Sequence, residues 1–428
     1  MPPERANTEE TLLLYAPVPL FAGKDGYLLE DQACNGLARW ADNFKHVIVM
    51  HPVEHGVPPP SWIPLASSAV DPQRVEVVAL PTAYRPDQFL RHYGATRQRI
   101  GALIDRAHYL SFSIGGLFGD WGSVAAMEAH RRQRRFAVWT DRVESEVVRH
   151  QAQAAGHWRG RFRAALTHRP MAMLERAVIR RATIGLFHGA ETYATYAPYA
   201  KAAEIVHDIH LRVEDRIPPQ TLEAKAAASA QGPLRICYVG RADAMKGPGD
   251  WLDVMTQLHA HGVDFRATWF GEGEQLGAMK AQVAERGLQD RVTLPGFLRN
   301  RGAVLDALRD AQVFVFCHKT PESPRNLIES LVSGTPIVGY DSAFSRDLIT
   351  AHGGGLLSPI HDTRALATNL IALAADRPRL AALVRQAVRD GEPFNDAAVF
   401  AHRSDVIREH LGPRPMAAGH TASTATTP

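Results

Sequence analysis

The chain has 428 residues, 45% of them apolar and 22% charged, which is ordinary for a globular protein and long enough for two or three domains. A formal net charge of +3 makes no global demand for nucleic acid. Three scattered cysteines, Cys34, Cys237 and Cys317, exclude a CxxC zinc site and a disulfide framework, and fit a reducing compartment.

Glu4, Glu9 and Glu10 precede the first apolar stretch, 11–22, where a signal peptide would carry positive charge. A strand is expected at 12–16, a Pro/Gly-rich loop at 17–31, a helix near 28–44 and a strand at 46–51. Apolar runs at 75–80, 109–113, 136–140 and 183–187 alternate with helix-like segments, the pattern of a parallel sheet covered on both faces. A Pro/Ala/Ser/Gln-rich stretch at 216–233 reads as a linker that could hold a short helix. The alternation then restarts with "LRICYVG", "FRATWFG", "RVTLPG", "AQVFVFC" and "PIVGY", each followed by a helical segment. The expected organisation is therefore two α/β, Rossmann-like βα domains, 8–215 and 234–385, facing a central cleft. Helices at 386–411 would pack back toward the first domain. A tail at 412–428 has too little to bury and is expected to be disordered.

Three loops fall on the carboxyl edge of the second predicted sheet, where open α/β sheets bind ligands. "GRADAMKG" supplies Arg241 and Lys246 beside glycines, the chemistry of a diphosphate site, although a solvated loop reads the same way. "FGEGEQL" carries Gly271 in a lone GxG. "ESPRNLIES" follows a continuous apolar strand, with Ser323 as expected N-cap, Pro324 at the first helical position and Gly334 as helix end. The N–H groups of Arg325, Asn326 and Leu327 would then form an anion site. Glu322 and Glu329 would repel phosphate but accept hydrogen bonds from sugar hydroxyls. The bland alternative is a surface ion pair between Arg325 and Glu329 at i and i+4.

"YVGRADAMKG", "WFGEGEQLGAMKAQVAERGLQDRVTLPGFL" and "ESPRNLIESLVSGTPIVGY" together resemble the GT-B glycosyltransferases of family 4 (group 1), retaining enzymes that use nucleotide sugars. The resemblance runs from about 234 to 359 and is only an outline in the first half. It implies that Arg241 and Lys246 hold the donor diphosphate, that Glu329 holds the ribose and that Glu322 contacts the transferred sugar. It also implies that amides near Asn326 and Leu327 touch phosphate, and that Gly296, Phe297 and Leu298 lie beside the base. No metal and no other cofactor is implied; the donor would be a UDP- or GDP-sugar, and the reaction a hexosyl transfer in polysaccharide or glycolipid biosynthesis.

Two departures stand out. The glutamates are spaced E-x6-E, one residue short, and the usual Gly-Phe-Gly is replaced by Ser323, Pro324 and Arg325, which would let Arg325 add a phosphate contact. Where the family often has a histidine, this chain has Asp141 and Arg142. Asp141 reads either as a catalytic group facing sugar or acceptor, or as a helix cap. His188 is a further cleft candidate, with a structural role as the alternative.

The acceptor is expected on the first half, at the loops 17–31 and 113–123, and would be a glycan or lipid-linked molecule. Residues 1–190 hold 23 lysines and arginines against 18 acidic residues. Between 131 and 181, arginines at 131, 132, 134, 135, 149, 159, 161, 163, 169, 176, 180 and 181, besides Arg142, interleave with Trp158, Phe162, Leu166, Met171, Met173 and Leu174. That composition fits either an anionic membrane surface or a solvated helix face. No apolar run reaches the ~18–20 residues of a membrane span. The expected place is cytoplasmic, peripheral on the inner membrane face. Nucleic acid is not expected, since no stacking strip of aromatics is present. Two other readings share the fold: a nucleotide-sugar epimerase, which needs no acceptor, and a non-catalytic nucleotide-sugar-binding module.

Overall fold

The computed structural model describes residues 10–23, 26–154, 158–320 and 322–412. The expected disordered tail lies outside them from 413 on. Two sheets form around separate cores.

The second sheet is the simpler. Leu234–Val239, Phe265–Phe270, Val292–Gly296, Val313–Phe316, Ile337–Tyr340 and Gly355–Ser358 are all parallel, with Leu234–Val239 and Val313–Phe316 at its centre. "VFVF" is buried at every position because helices cover both faces, so no polar alternation survives. The order reverses between Leu234–Val239 and Val313–Phe316, which open a crevice at their carboxyl ends.

The first sheet is mixed. Thr11–Tyr15 lies between the parallel strands His46–Glu54 and Tyr109–Ser113, followed outward by Ala137–Thr140, Ile184–His188 and Ala203–Val206. The expected loop at 17–31 is instead largely strand. Leu20–Gly23 and Gly26–Glu30 pair antiparallel, and Trp62–Pro64 extends them. Its two prolines hid this, because both precede the hairpin strands rather than interrupt them.

The stretch expected as a linker is mostly the helix Pro219–Ala228, packed on the second domain against Arg377–Gly391. Its Lys225 is buried. The chain crosses back near 392–395. The last helix, Asp396–Leu411, then packs on Asp31–Asn43 of the first domain, where Arg408 pairs with Glu10 at 3.0 Å.

Candidate functional site

The switch-point crevice of the second sheet brings the three predicted loops together. Gly247, with φ +66°, closes the 3-10 turn Ala244–Lys246, and a Cβ there would lie 2.2 Å from the Cys317 carbonyl. Only glycine permits that approach. Lys319 N–H donates to the Met245 carbonyl at 2.9 Å, so the Lys246 loop is fastened to the loop after Val313–Phe316. The result is a two-pronged ion pair: Lys246 Nζ lies 2.7 Å from both carboxylate oxygens of Glu322, and each side chain is only 12–13% exposed.

Behind Glu322 stands His318. Its Nδ1 is 3.5 Å from Glu322 Oε1, and its Nε2 is 2.9 Å from the Tyr238 hydroxyl. Burial, with Lys246 adding to it, pushes the His318 pKa well down, so the ring is neutral; with its proton on Nδ1, toward Glu322, Nε2 accepts from the tyrosine. Sequence reasoning missed His318; the only signal was a histidine directly after an apolar strand.

Arg241 is exposed and pairs with Asp243 at 3.0 Å. It shares a cavity of about 430 Å³ with Gly271, Gly273, Phe297 and Leu298. Gly271 sits at φ +145°, and a Cβ there would come within 2.0 Å of the Gly240 carbonyl. Gly240 N–H in turn donates to Phe270 O at 2.9 Å, and Gly271 N–H to Gly296 O at 2.8 Å. Bare backbone at these edges lets a ligand approach.

The helix after Glu322 runs Arg325–Val332 and its glutamate, Glu329, is half-buried. Burial raises the Glu329 pKa, opposed by the charges of Arg301 and Arg325. Three details differ from expectation. The cap is Pro324 and makes no side-chain bond; Ser323 is not the cap. Its hydroxyl donates to the His188 carbonyl at 2.7 Å, and its own carbonyl accepts from His188 Nε2 at 2.9 Å. A tertiary partner thus takes the hydroxyl that a local cap would use. The Leu327 N–H is not free either, since it donates to Pro324 O at 3.2 Å. Asn326 uses its amide to donate to Val239 O at 2.8 Å.

Arg325 does not close a helical pair with Glu329. It reaches into the first domain, donating to Gln32 Oε1 at 2.7 Å and lying 3.9 Å from Asp208. Burial pushes the Asp208 carboxyl up, but Arg325, His210 and Arg403 together hold it well below the ordinary range. His188 is another tie between the halves. Its Nδ1 accepts from Asp208 N–H at 3.1 Å while Nε2 donates to Ser323. Burial lowers its pKa, and both nitrogens are committed to holding the donor loop against the first domain.

Asp141 is exposed at the carboxyl end of Ala137–Thr140 and lines, with Arg325, a second cavity of about 190 Å³. Glu30, Trp40, His51, Trp139, His210 and Arg403 line it too. Four buried polar atoms there, His51 Nε2, Trp139 Nε1, His210 Nδ1 and Arg403 Nε, have no protein partner. Burial takes the pKa of both histidines down to about 4, so they present neutral rings. Neighbouring Arg142 pairs with Glu144 at 2.6 Å, and the charge of Glu322 bears on it from across the cleft. The expected acceptor loop 113–123 is folded on buried Asp120, which accepts from the N–H groups of Gly115, Gly116 and Ser123 at 3.0–3.2 Å.

Much of the arginine-rich belt is engaged. Arg131 and Arg132 clasp Glu128 at 2.5 and 2.8 Å, Arg134 donates to the carbonyls of Ile104 and Ala107, and Arg176 and Arg180 lie over the Tyr199 ring. Phe162, Leu166 and Met173 of the helix Trp158–Arg181 are 65–70% exposed. The side chains of Arg159, Arg161 and Arg163 lie outside the described residues. Among the described residues no helix is long and apolar enough to cross a membrane, and no cluster of His, Cys, Asp or Glu is placed to hold a metal ion.

Residues 220–390 match the family model of glycosyl transferases group 1. The chain is 26% identical to the amylovoran biosynthesis glycosyltransferase AmsK of Erwinia amylovora over 45% of its own length and 48% of that protein's. It is 32% identical to the 2-deoxystreptamine glucosyltransferase of Streptomyces kanamyceticus, over 41% and 47%. The chain thus spans about half the length of these curated relatives. Solved structures match almost throughout. Anabaena Alr3699/HepE in complex with UDP gives a TM-score of 0.66 at 12% identity, covering 94% of this chain and all of that one. WaaG, a glycosyltransferase involved in lipopolysaccharide biosynthesis, gives 0.62 at 13%, covering 92% and 99%. The fold is GT-B.

Proposed function

From a C-terminal half that belongs with the group 1 glycosyl transferases, set on a GT-B frame, we propose that the protein transfers a hexose from a nucleoside diphosphate sugar to a polyhydroxylated acceptor. The observation that carries this reading is the convergence of Arg241, Lys246, Glu322, Gly271, Asn326 and Glu329 on one sheet edge. Cations for a diphosphate and carboxylates for hydroxyls stand there side by side.

The base would lie against Phe297 and Leu298, the ribose at Glu329, the diphosphate between Arg241, Lys246 and the N–H groups opening the helix Arg325–Val332, and the sugar at Glu322. In the retaining course the acceptor hydroxyl attacks the anomeric carbon on the face the diphosphate leaves. The carbon–phosphate-oxygen bond breaks, and the departing phosphate oxygen takes the hydroxyl proton. Arg241 and Lys246 stabilise the charge gathering on that oxygen, the kind of fixed electrostatic term that usually dominates.

The acceptor ring would enter the cavity lined by Glu30, Asp141, Trp40 and Trp139, where unpartnered donors and acceptors alternate on aromatic walls. A sugar or cyclitol acceptor is supported by the relatives' names, one a 2-deoxystreptamine glucosyltransferase and another a glycosyltransferase of amylovoran biosynthesis. A lipid-linked acceptor is supported by the exposed Phe162, Leu166 and Met173 beside arginines, a composition that suits an anionic bilayer. In a flotation assay with phosphatidylglycerol vesicles the protein is expected to rise with the lipid, and a Phe162→Ser/Leu166→Ser/Met173→Ser variant to stay behind. Equal flotation of both would remove this surface from the account.

The site itself is tested by thermal-shift titration with UDP, GDP and their sugar conjugates. Stabilisation by one nucleotide family, approximately 2–3 kcal/mol at a hundredfold excess over Kd, is the expected result. A flat response to all of them sinks the donor-site reading. With the stabilising donor in hand, sugar appearing on an added glycan marks a transferase; free sugar released without acceptor and with one ring carbon inverted marks an epimerase.

A further inference from the structure

Lys246 and Glu322 are assigned to different parts of one donor, yet in this structure they are bonded to each other. Both carboxylate oxygens lie 2.7 Å from Nζ, and both groups are nearly withdrawn from solvent. An ammonium held by two carboxylate oxygens has at most one of its three N–H bonds left for a phosphate. A carboxylate spending both oxygens on that ammonium has little left for sugar hydroxyls. The neutral His318, braced by Tyr238, stands at Glu322 Oε1 and gives the carboxylate a fixed resting place beside the lysine. None of the other cation–carboxylate contacts named here around this edge joins two groups assigned to the donor. Arg241 pairs with Asp243 and is largely exposed, Lys319 pairs with Asp250, Arg325 reaches Asp208 in the first domain, and Arg301 pairs with Asp215.

We infer that Glu322 competes with the donor diphosphate for Lys246 and so determines how strongly the site prefers the intact donor over the nucleoside diphosphate product. This rests on the donor-site reading above. An intact donor draws Lys246 onto its phosphates and offers Glu322 sugar hydroxyls in exchange, so the carboxylate loses one partner and gains another. A nucleoside diphosphate draws the lysine equally but offers Glu322 nothing, so the carboxylate is left with its lysine bond broken and no hydroxyls in exchange. Once the sugar has left, Glu322 recaptures Lys246 and expels the product. The one-residue shortening of the E-x6-E spacing and the Ser323 clasp on His188 fix where Glu322 starts, immediately beside the lysine.

The test is isothermal titration of the full chain with UDP and GDP and with their glucose and mannose conjugates, for wild type and Glu322→Gln. The variant is expected to bind the nucleoside diphosphate about tenfold more tightly and to bind the sugar conjugate no better than wild type, so the preference for donor collapses. A Glu322→Asp variant, which retains the charge but draws it back from Nζ, is expected to fall between the two and stands in if the glutamine variant does not fold. In a Lys246→Ala background the same Glu322→Gln change should alter diphosphate affinity less than threefold. Equal tightening there would mean general repulsion rather than competition, and would overturn the inference. Unchanged or weaker diphosphate binding by Glu322→Gln, with wild type binding normally, overturns it alone. No binding of any of these ligands by wild type fails the donor-site reading, and this inference with it.

Discussion

Lys246→Ala is expected to lower kcat/KM for transfer from the nucleotide sugar by a factor of roughly 100–1000, the range found when one preorganised donor to a developing oxyanion is lost. The ammonium that would meet the leaving diphosphate is gone, and no other cation is paired with Glu322 in its place among the described residues. Arg241→Ala should cost less, about tenfold, because its guanidinium is 69% exposed and already shared with Asp243, so solvent screens much of its charge. The order of the two is the informative part. Steady-state kinetics with the donor identified by titration, on variants whose melting temperatures match wild type, give it directly. Lys246→Ala activity within threefold of wild type would remove the lysine from the catalytic account.

The pair could not have been read from the chain, because 76 residues separate its members and either could have faced solvent. What could be read was each loop's place. Continuous apolar runs such as Val313–Phe316 report strands buried on both faces, and a parallel βα alternation puts every following loop on one edge. Local chemistry was a poorer guide wherever a distant partner intervened. Ser323 carries a cap residue's hydroxyl, but His188, 135 residues away, takes it. Arg325 sits one turn from Glu329 yet spans the cleft to Gln32, and the strands Leu20–Gly23 and Gly26–Glu30 hide among turn residues. Asp141 and Glu30 of the first domain share a cavity with Arg325 only because the second domain meets that sheet edge.

Lys225 shows the same limit and carries the largest expected effect on stability. In the sequence it is one lysine in an Ala-rich stretch; in the structure its Nζ donates to Thr335 Oγ1 at 2.6 Å, Ser333 O at 3.1 Å and Leu308 O at 3.2 Å. Those carbonyls lie at the ends of the helices Arg301–Asp310 and Arg325–Val332, so one buried amino group braces the far end of the donor helix. Lys225→Met keeps the stem and removes the donors, leaving the buried Leu308 and Ser333 carbonyls with the Thr335 hydroxyl alone. It is expected to destabilise the protein by about 2–3 kcal/mol at pH 9. Burial takes the Lys225 pKa down to about 7, below its value of roughly 10.4 in an unfolded chain. Between those limits the unfolded state binds more protons than the folded one, so the lysine's contribution rises as pH increases from 7 to 10 and is smallest below 7. Urea denaturation of wild type and variant at pH 6.5, 8 and 9.5 should therefore show a difference that widens with pH. A difference that stays constant would mean the ammonium keeps its proton throughout, held by the two helix ends strongly enough to cancel the cost of burial.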